Sequence, residues 1–156
     1  MKKLILAEKP NVARDIGRIL NANEKRKNYL EGKNYVITWA LGHLLGLKMP
    51  EDLNKKWEKW QLETLPMLPK FIGIKPLPKT RGQLKTIESL VKRKDINEIV
   101  IATDAGREGE LVARWILQYV HANKKVTRLW ISSQTDKAVK QGFKELKPAE
   151  KYDNLY

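Results

Sequence analysis

Apolar and polar positions alternate along the chain in blocks that predict a series of strands and helices. Lys3-Leu4-Ile5-Leu6-Ala7 reads as a buried strand, and Pro10 suits the first position of a helix running to about Leu20. From Tyr29 to Leu41, two β-rich runs flank the turn-prone Glu31-Gly32-Lys33-Asn34, which predicts a hairpin. Leu84, Ile87, Leu90 and Val91 mark one face of a helix, and the short apolar run Ile99-Val100-Ile101-Ala102 suits a central parallel strand. A helix from about Arg107 to Tyr119 follows, then a strand from Val126 to Ile131. Ser132, Ser133 and Thr135 offer caps for a last helix through Leu146, stopped by Pro148.

Between Gly42 and Pro78 the periodicity is lost. This stretch holds five of the chain's seven prolines and three of its nine glycines. Trp57, Trp60, Leu62, Leu65, Leu68 and Phe71 supply enough apolar side chains to predict an ordered, loop-rich insertion with these residues as its anchors. The resulting order is β-α, insertion, α-β-α-β-α. That is a doubly wound α/β domain, with a central, mostly parallel sheet flanked by helices, plus the hairpin and the insertion. Ligands of such folds meet the carboxyl ends of parallel strands, so function is to be sought there.

Composition narrows the chemistry. With 156 residues, 42% of hydrophobic type, the chain supports one core and reads as one domain without internal repeats. It contains no cysteine, which excludes disulfides, thiolate zinc sites and thiol catalysis; any metal is held by oxygen or by the two histidines. A net charge of +13 favours a polyanionic partner, with nucleic acid foremost. The basic residues come in small groups, such as Lys25-Arg26-Lys27 and Lys92-Arg93-Lys94, and so belong to the surface of a folded body. No stretch is long and apolar enough for a membrane span, and Met1-Lys2-Lys3 leads directly into the first strand without a signal-peptide pattern; a cytoplasmic protein is expected.

Two predicted strand ends deliver carboxylates. Glu8 follows the first strand, and Asp104 follows Ile99–Thr103, with Glu108 one helical turn further on. If the two strands are adjacent, three carboxylates converge, and a divalent cation relieves their repulsion; magnesium suits an all-oxygen site completed by water and phosphate. The competing reading makes Asp104 and Glu108 ordinary caps and dipole partners of a helix N-terminus. Lys9 and Arg107, beside these carboxylates, are either ion-pair partners or clamps for a phosphate. Gly106 and Gly109 allow a phosphate to approach the backbone closely. In Lys55-Lys56-Trp57-Glu58-Lys59-Trp60, aromatic faces alternate with cations, a pattern for stacking unpaired bases, while core packing competes for one of the two tryptophans. His43, among apolar neighbours, is either a structural histidine or part of the site.

Ala7-Glu-Lys-Pro10 together with Ala102-Thr-Asp-Ala-Gly-Arg-Glu-Gly-Glu110 resembles the Toprim signature of type IA DNA topoisomerases. The carboxylates alone are shared with Toprim primases and nucleases. The longer stretches Thr38–Leu45, Trp57–Pro66, Leu129–Ser133 and Thr135–Ala138 are similar to the topoisomerase III branch in order and spacing, and the resemblance covers essentially the whole chain. It implies a Rossmann-like Toprim domain over residues 1–147, with 42–78 as the insertion and 148–156 as the start of a connection to helical domains. It also implies Glu8, Asp104 and Glu108 as ligands of Mg2+, Glu8 and Lys9 as catalytic groups, and Trp60, Lys59, Arg107 and His43 as DNA contacts. Gly106 departs from the pattern, because many relatives carry an aspartate there. The family acts on single-stranded regions of DNA through a 5′-phosphotyrosyl intermediate. None of the five tyrosines here sits in a context resembling that nucleophile, so the chain is expected to be a piece of a longer enzyme, inactive by itself and partnered by DNA and by the enzyme's other domains. A free-standing Toprim phosphoesterase or nuclease, and a nucleic-acid-binding module without chemistry, are the alternatives.

Overall fold

A computed structural model describes all of residues 1–156. In chain order the elements are β1 (Lys2–Ala7), α1 (Pro10–Ile19), β2 (Glu24–Arg26), β3 (Tyr29–Glu31), β4 (Tyr35–Trp39), β5 (Leu45–Leu47), α2 (Pro50–Leu53), β6 (Ile74–Pro76), α3 (Arg81–Val91), β7 (Ile96–Ala102), α4 (Arg107–Tyr119), β8 (Lys125–Arg128), α5 (Asp136–Lys144) and β9 (Lys147–Pro148). The main sheet has the order β2-β3-β4-β1-β7-β8-β9. Its four inner strands, β4, β1, β7 and β8, are parallel, and antiparallel strands flank them on both sides.

Side-chain alternation along the strands divides the interior into two cores. Leu4, Leu6, Ile99 and Ile101 face α3 and α4, whose Leu84, Ile87, Leu90, Val112 and Ile116 complete the larger core. Ile5, Ala7, Val100 and Ala102 face the other way and pack with Ala13 and Ile16 of α1 and Val139 of α5. The inner strands are apolar on both faces because helices cover both. This matches the doubly wound architecture predicted from the periodicity.

Two helices start where local chemistry favours it. Pro10 opens α1 after an extended Lys9, and the Thr135 hydroxyl caps α5 by accepting from the Ala138 N–H at 3.3 Å. The hairpin forms between β3 and β4, with β2 added outside it. β2 is Glu-Lys-Arg, wholly exposed, and so carries no hydrophobic signal. Strand β8 is shorter than expected, and its last backbone bond to β7 is from the Leu129 N–H to the Ile101 carbonyl at 2.9 Å. Pro148, expected only to stop a helix, sits in the edge strand β9 against β8, where its missing N–H costs no ladder bond. Residues beyond it turn back onto the domain: Ala149 is buried, Tyr152 stacks on Trp130 at 4.6 Å, and Arg114 donates to the Ala149 carbonyl at 2.5 Å and pairs with Asp153 at 2.8 Å.

The 42–78 stretch is built from short helical turns and the two-stranded β5–β6 sheet, which the irregular sequence did not suggest. Its expected apolar anchors need correction. Trp57 is half-buried, but Trp60 is 72% exposed, Leu62 85%, Leu68 77% and Phe71 75%, with Leu65 also exposed. The segment is fastened instead by Leu44 and Leu45, which join the larger core, and by the Thr80 hydroxyl on the Leu44 carbonyl at 3.2 Å, while the ion pair between Lys75 and Asp52 ties it together internally. No helix is long and apolar enough to cross a membrane.

Candidate functional site

In an α/β sheet of this kind the ligand crevice opens where chain connections leave in opposite directions from neighbouring strands. Here the chain passes from β1 to β4 on one side and from β7 to β8 on the other, so the crevice lies at the carboxyl ends of β1 and β7. Ala7 and Ala102 are paired in register at that edge, so the residues that follow them emerge side by side. Glu8 is 9% exposed, and one of its carboxylate oxygens accepts the Asp104 backbone N–H at 3.0 Å. Its other oxygen, and the whole exposed Asp104 carboxylate, have no protein hydrogen-bond partner. Hard oxygen ligands with free lone pairs at the mouth of a crevice are a donor set that suits magnesium, which takes one or two carboxylates and keeps several waters.

Glu108 does not complete a triad. Its carboxylate is hydrogen-bonded to the His43 imidazole, and no group of three or more acidic or histidine side chains is gathered closely enough to hold a metal. The His43 imidazole holds the Glu108 carboxylate by a hydrogen bond that is charge-assisted when the ring is protonated. His43 is itself half-exposed rather than a core histidine; Gly42, at φ +72°, turns the chain immediately before it, and Trp115 meets its ring edge-on. Lys9 and Arg107 are exposed, and neither takes part in any of the molecule's ion pairs. Lys59 and Trp60 are also exposed, on the insertion.

What fixes Asp104 is a network that sequence reasoning did not identify. Arg128 and Glu110 are both fully buried, and the Arg128 Nε donates to Glu110 at 2.8 Å. The remaining Arg128 N–H groups donate to the carbonyls of Thr103 at 2.7 Å, Asp104 at 2.8 Å and Leu129 at 2.8 Å. Arg114 takes the other Glu110 oxygen at 2.8 Å. Burial lowers the Arg128 pKa, opposed by the attraction of Glu110. No buried side-chain polar atom is left without a partner, the condition for a buried charge network to be tolerated. The Thr103 hydroxyl adds a bond to the Gly109 carbonyl at 2.7 Å, and a Cβ at Gly109 would lie 2.2 Å from the Asp104 carbonyl oxygen, so only glycine lets α4 start this close to the strand end. The signal that could have found the network was the Glu110–Arg114 spacing of four, together with a lone arginine inside a short strand.

Gly106 behaves differently. Its φ of 172° is ordinary extended backbone, and nothing lies within 4 Å of where a Cβ would stand. The position could therefore carry an aspartate.

Residues 3–134 match the family model described as the Toprim domain. The chain belongs to the Toprim family. Among proteins similar to it, the DNA topoisomerase 3 of Bacillus thuringiensis (strain Al Hakam) and that of Bacillus anthracis are each 56% identical over 155 residues, and that of Bacillus subtilis (strain 168) is 51% identical. In each case 99% of this chain is covered but only 21% of the relative, so this Toprim chain spans about a fifth of their length. The full-length topoisomerase I from Thermotoga maritima matches in structure over 95% of this chain and 21% of its own, with a TM-score of 0.60 at 20% identity, which shows the shared Toprim fold.

Proposed function

We propose that this Toprim domain is the acidic, magnesium-binding part of a DNA topoisomerase that breaks and rejoins single DNA strands in the bacterial cytoplasm, with the tyrosine nucleophile supplied from elsewhere in a longer polypeptide. The observation that carries this reading is the meeting of Glu8 and Asp104 at the crevice between β1 and β7, with partner-free oxygens on both. Glu8 and Asp104 would hold the ion, and Glu108 would join them by leaving His43. Bound there, magnesium would supply positive charge against the oxygens of a DNA phosphate.

The chain's own residues would do the rest. Lys9, exposed and without an ion pair, would steady charge developing on the phosphate, and Arg107, at the N-terminus of α4, would hold the strand. Glu8, at the strand end beside Asp104, would pass a proton to the leaving oxygen. Trp60, Lys59 and His43 would contact the DNA, Trp60 by stacking on an unpaired base.

Three experiments test the reading. In a full-length protein containing this chain, Lys9→Ala is expected to slow cleavage and religation by about a hundredfold or more while DNA binding persists. An unchanged rate would remove Lys9 from the chemistry. The 156-residue chain alone is expected neither to relax nor to nick supercoiled plasmid; metal-dependent nicking would support a free-standing nuclease instead. Gly106→Asp, which the open backbone tolerates, is expected to tighten magnesium binding in calorimetric titration, since affinity rises with the number of anionic oxygens. A folded variant that binds no better would mean that position 106 does not face the ion.

A further inference from the structure

Beside Asp104, on the α1 and α5 side of the sheet, a cleft of about 520 Å³ opens at the ends of β7 and β8. That volume is within the range of about 300–1,000 Å³ usual for small-molecule sites. Val12 and Ile16 of α1, Val139 of α5 and Leu129 line it with apolar side chains. The rim is polar, with Asp15, Ser132, Ser133 and Gln134 around it and Asp104 at the end nearest the crevice. Trp130 lines the cleft and is held in place by its stack on Tyr152 and by the Arg128 guanidinium 5.0 Å from its ring. This wall is held by the protein's own contacts.

The charge of the lining decides what it could take. The chain has 31 lysines and arginines, yet none of the 14 residues lining the cleft is basic, and two are aspartates. The lining itself offers a phosphate no positive side chain. Apolar walls with hydroxyl, amide and carboxylate groups at the rim suit a flat, neutral group that donates hydrogen bonds. Because the cleft ends at Asp104, a nucleotide whose phosphate sits at Glu8 and Asp104 would have its base within reach of it.

We propose that this cleft is a base pocket for the nucleotide adjoining the phosphate site, and that it favours bases with an exocyclic amino group over thymine. The proposal rests on the phosphate-site reading above. Asp15 and Gln134 are the acceptors for the amino group; thymine offers a carbonyl and a methyl group at the equivalent edge.

The test is NMR titration of the 156-residue chain with pentanucleotides of deoxycytidine, of thymidine and of abasic sugar-phosphate, with magnesium and again with chelator. Deoxycytidine is expected to shift the amides of Ile131 to Gln134 and of Val12, and to bind about fivefold more tightly than thymidine, the size of one net hydrogen bond. The abasic strand should leave those amides still. Asp15→Ala, at an exposed position, should bring the two affinities together, and Val12→Trp should fill the cleft and abolish the shifts at 131–134. If Val12→Trp fails to fold, Ser133→Trp at the exposed rim serves the same purpose. Pocket amides unmoved by every strand would overturn the pocket, and equal binding of cytidine and thymidine strands would overturn the preference. Magnesium titration without DNA separates this result from the metal reading: shifts at Glu8 and Asp104 with a silent cleft would sink only the pocket. Base-dependent shifts in chelator without any magnesium response would sink only the metal site.

Discussion

The strand-end site and the 42–78 insertion are both rich in groups that sequence makes conspicuous, but they resolve them in opposite ways. At the strand ends, the backbone that carries the conspicuous Asp104 is held by an inconspicuous buried pair, Arg128 and Glu110, with Arg128 donating to the carbonyls of Thr103, Asp104 and Leu129. In the insertion, conspicuous apolar residues anchor little: Leu62, Leu68 and Phe71 face solvent, and buried Leu44 and Leu45 carry the attachment. Hydrophobicity therefore overstates the insertion's anchorage, and polarity understates how rigidly the site is built. Burying a charge is tolerated only when every partner is in place, so the site's rigidity follows from the cost of disturbing it.

The comparison is sharpened most by breaking the buried pair. Arg128→Met is expected to cost about 3–5 kcal/mol in denaturant unfolding, because Glu110 loses a partner and the carbonyls around Asp104 lose their donors. The double variant Arg128→Met/Glu110→Leu should recover part of that loss, since no buried charge is then unmatched. If Arg128→Met unfolds no more easily than the parent, the network is not what holds the strand end.

Gly109→Ala comes next. Its Cβ would meet the Asp104 carbonyl oxygen at 2.2 Å, with backbone on both sides of the clash, and a loss of about 1–3 kcal/mol is expected. Displacement of the Asp104 amide resonance should accompany it. A neutral substitution would show that α4 can shift without disturbing the site.

In the insertion the same treatment should do little. Leu68→Ser and Phe71→Ser are each expected to change stability by no more than about 0.5 kcal/mol, as surface substitutions do. A loss as large as that at Gly109 would mean that these side chains are anchors after all.

The smallest expected effect lies at the opposite end of the inner strands, before β7, where Arg93 bridges Glu31 and Asp95 at 2.7 Å each. The hydrogen bond from Arg93 lowers the Asp95 pKa from 3.8 to about 2. A depressed carboxylate contributes stability that is fully present above its unfolded pKa and is lost as pH falls through the folded one. Asp95 should therefore stabilise the fold at neutral pH and cease to do so between about pH 4 and pH 2. Asp95 is about half exposed, so solvent screening keeps the effect modest. Unfolding curves of the parent and of Asp95→Asn should converge towards pH 2; a constant difference across that range would assign the effect to something other than ionisation.

By itself the sequence determined the doubly wound order, the helix faces at Leu84, Ile87, Leu90 and Val91, the span of α4, and the two acidic strand ends. These are local signals: periodicity, a proline at a helix start and residues directly following an apolar run. Only the tertiary structure decided that β1 and β7 are neighbours, which puts Glu8 against the Asp104 N–H across 96 positions of sequence. It also decided that Glu108 turns to His43, that the three-residue strand β2 joins the sheet edge, and that Arg128 is buried. Each of these depends on what the rest of the chain brings alongside. An arginine reads as a surface residue until four carbonyls and a carboxylate are gathered around it, and a leucine reads as core until nothing arrives to cover it.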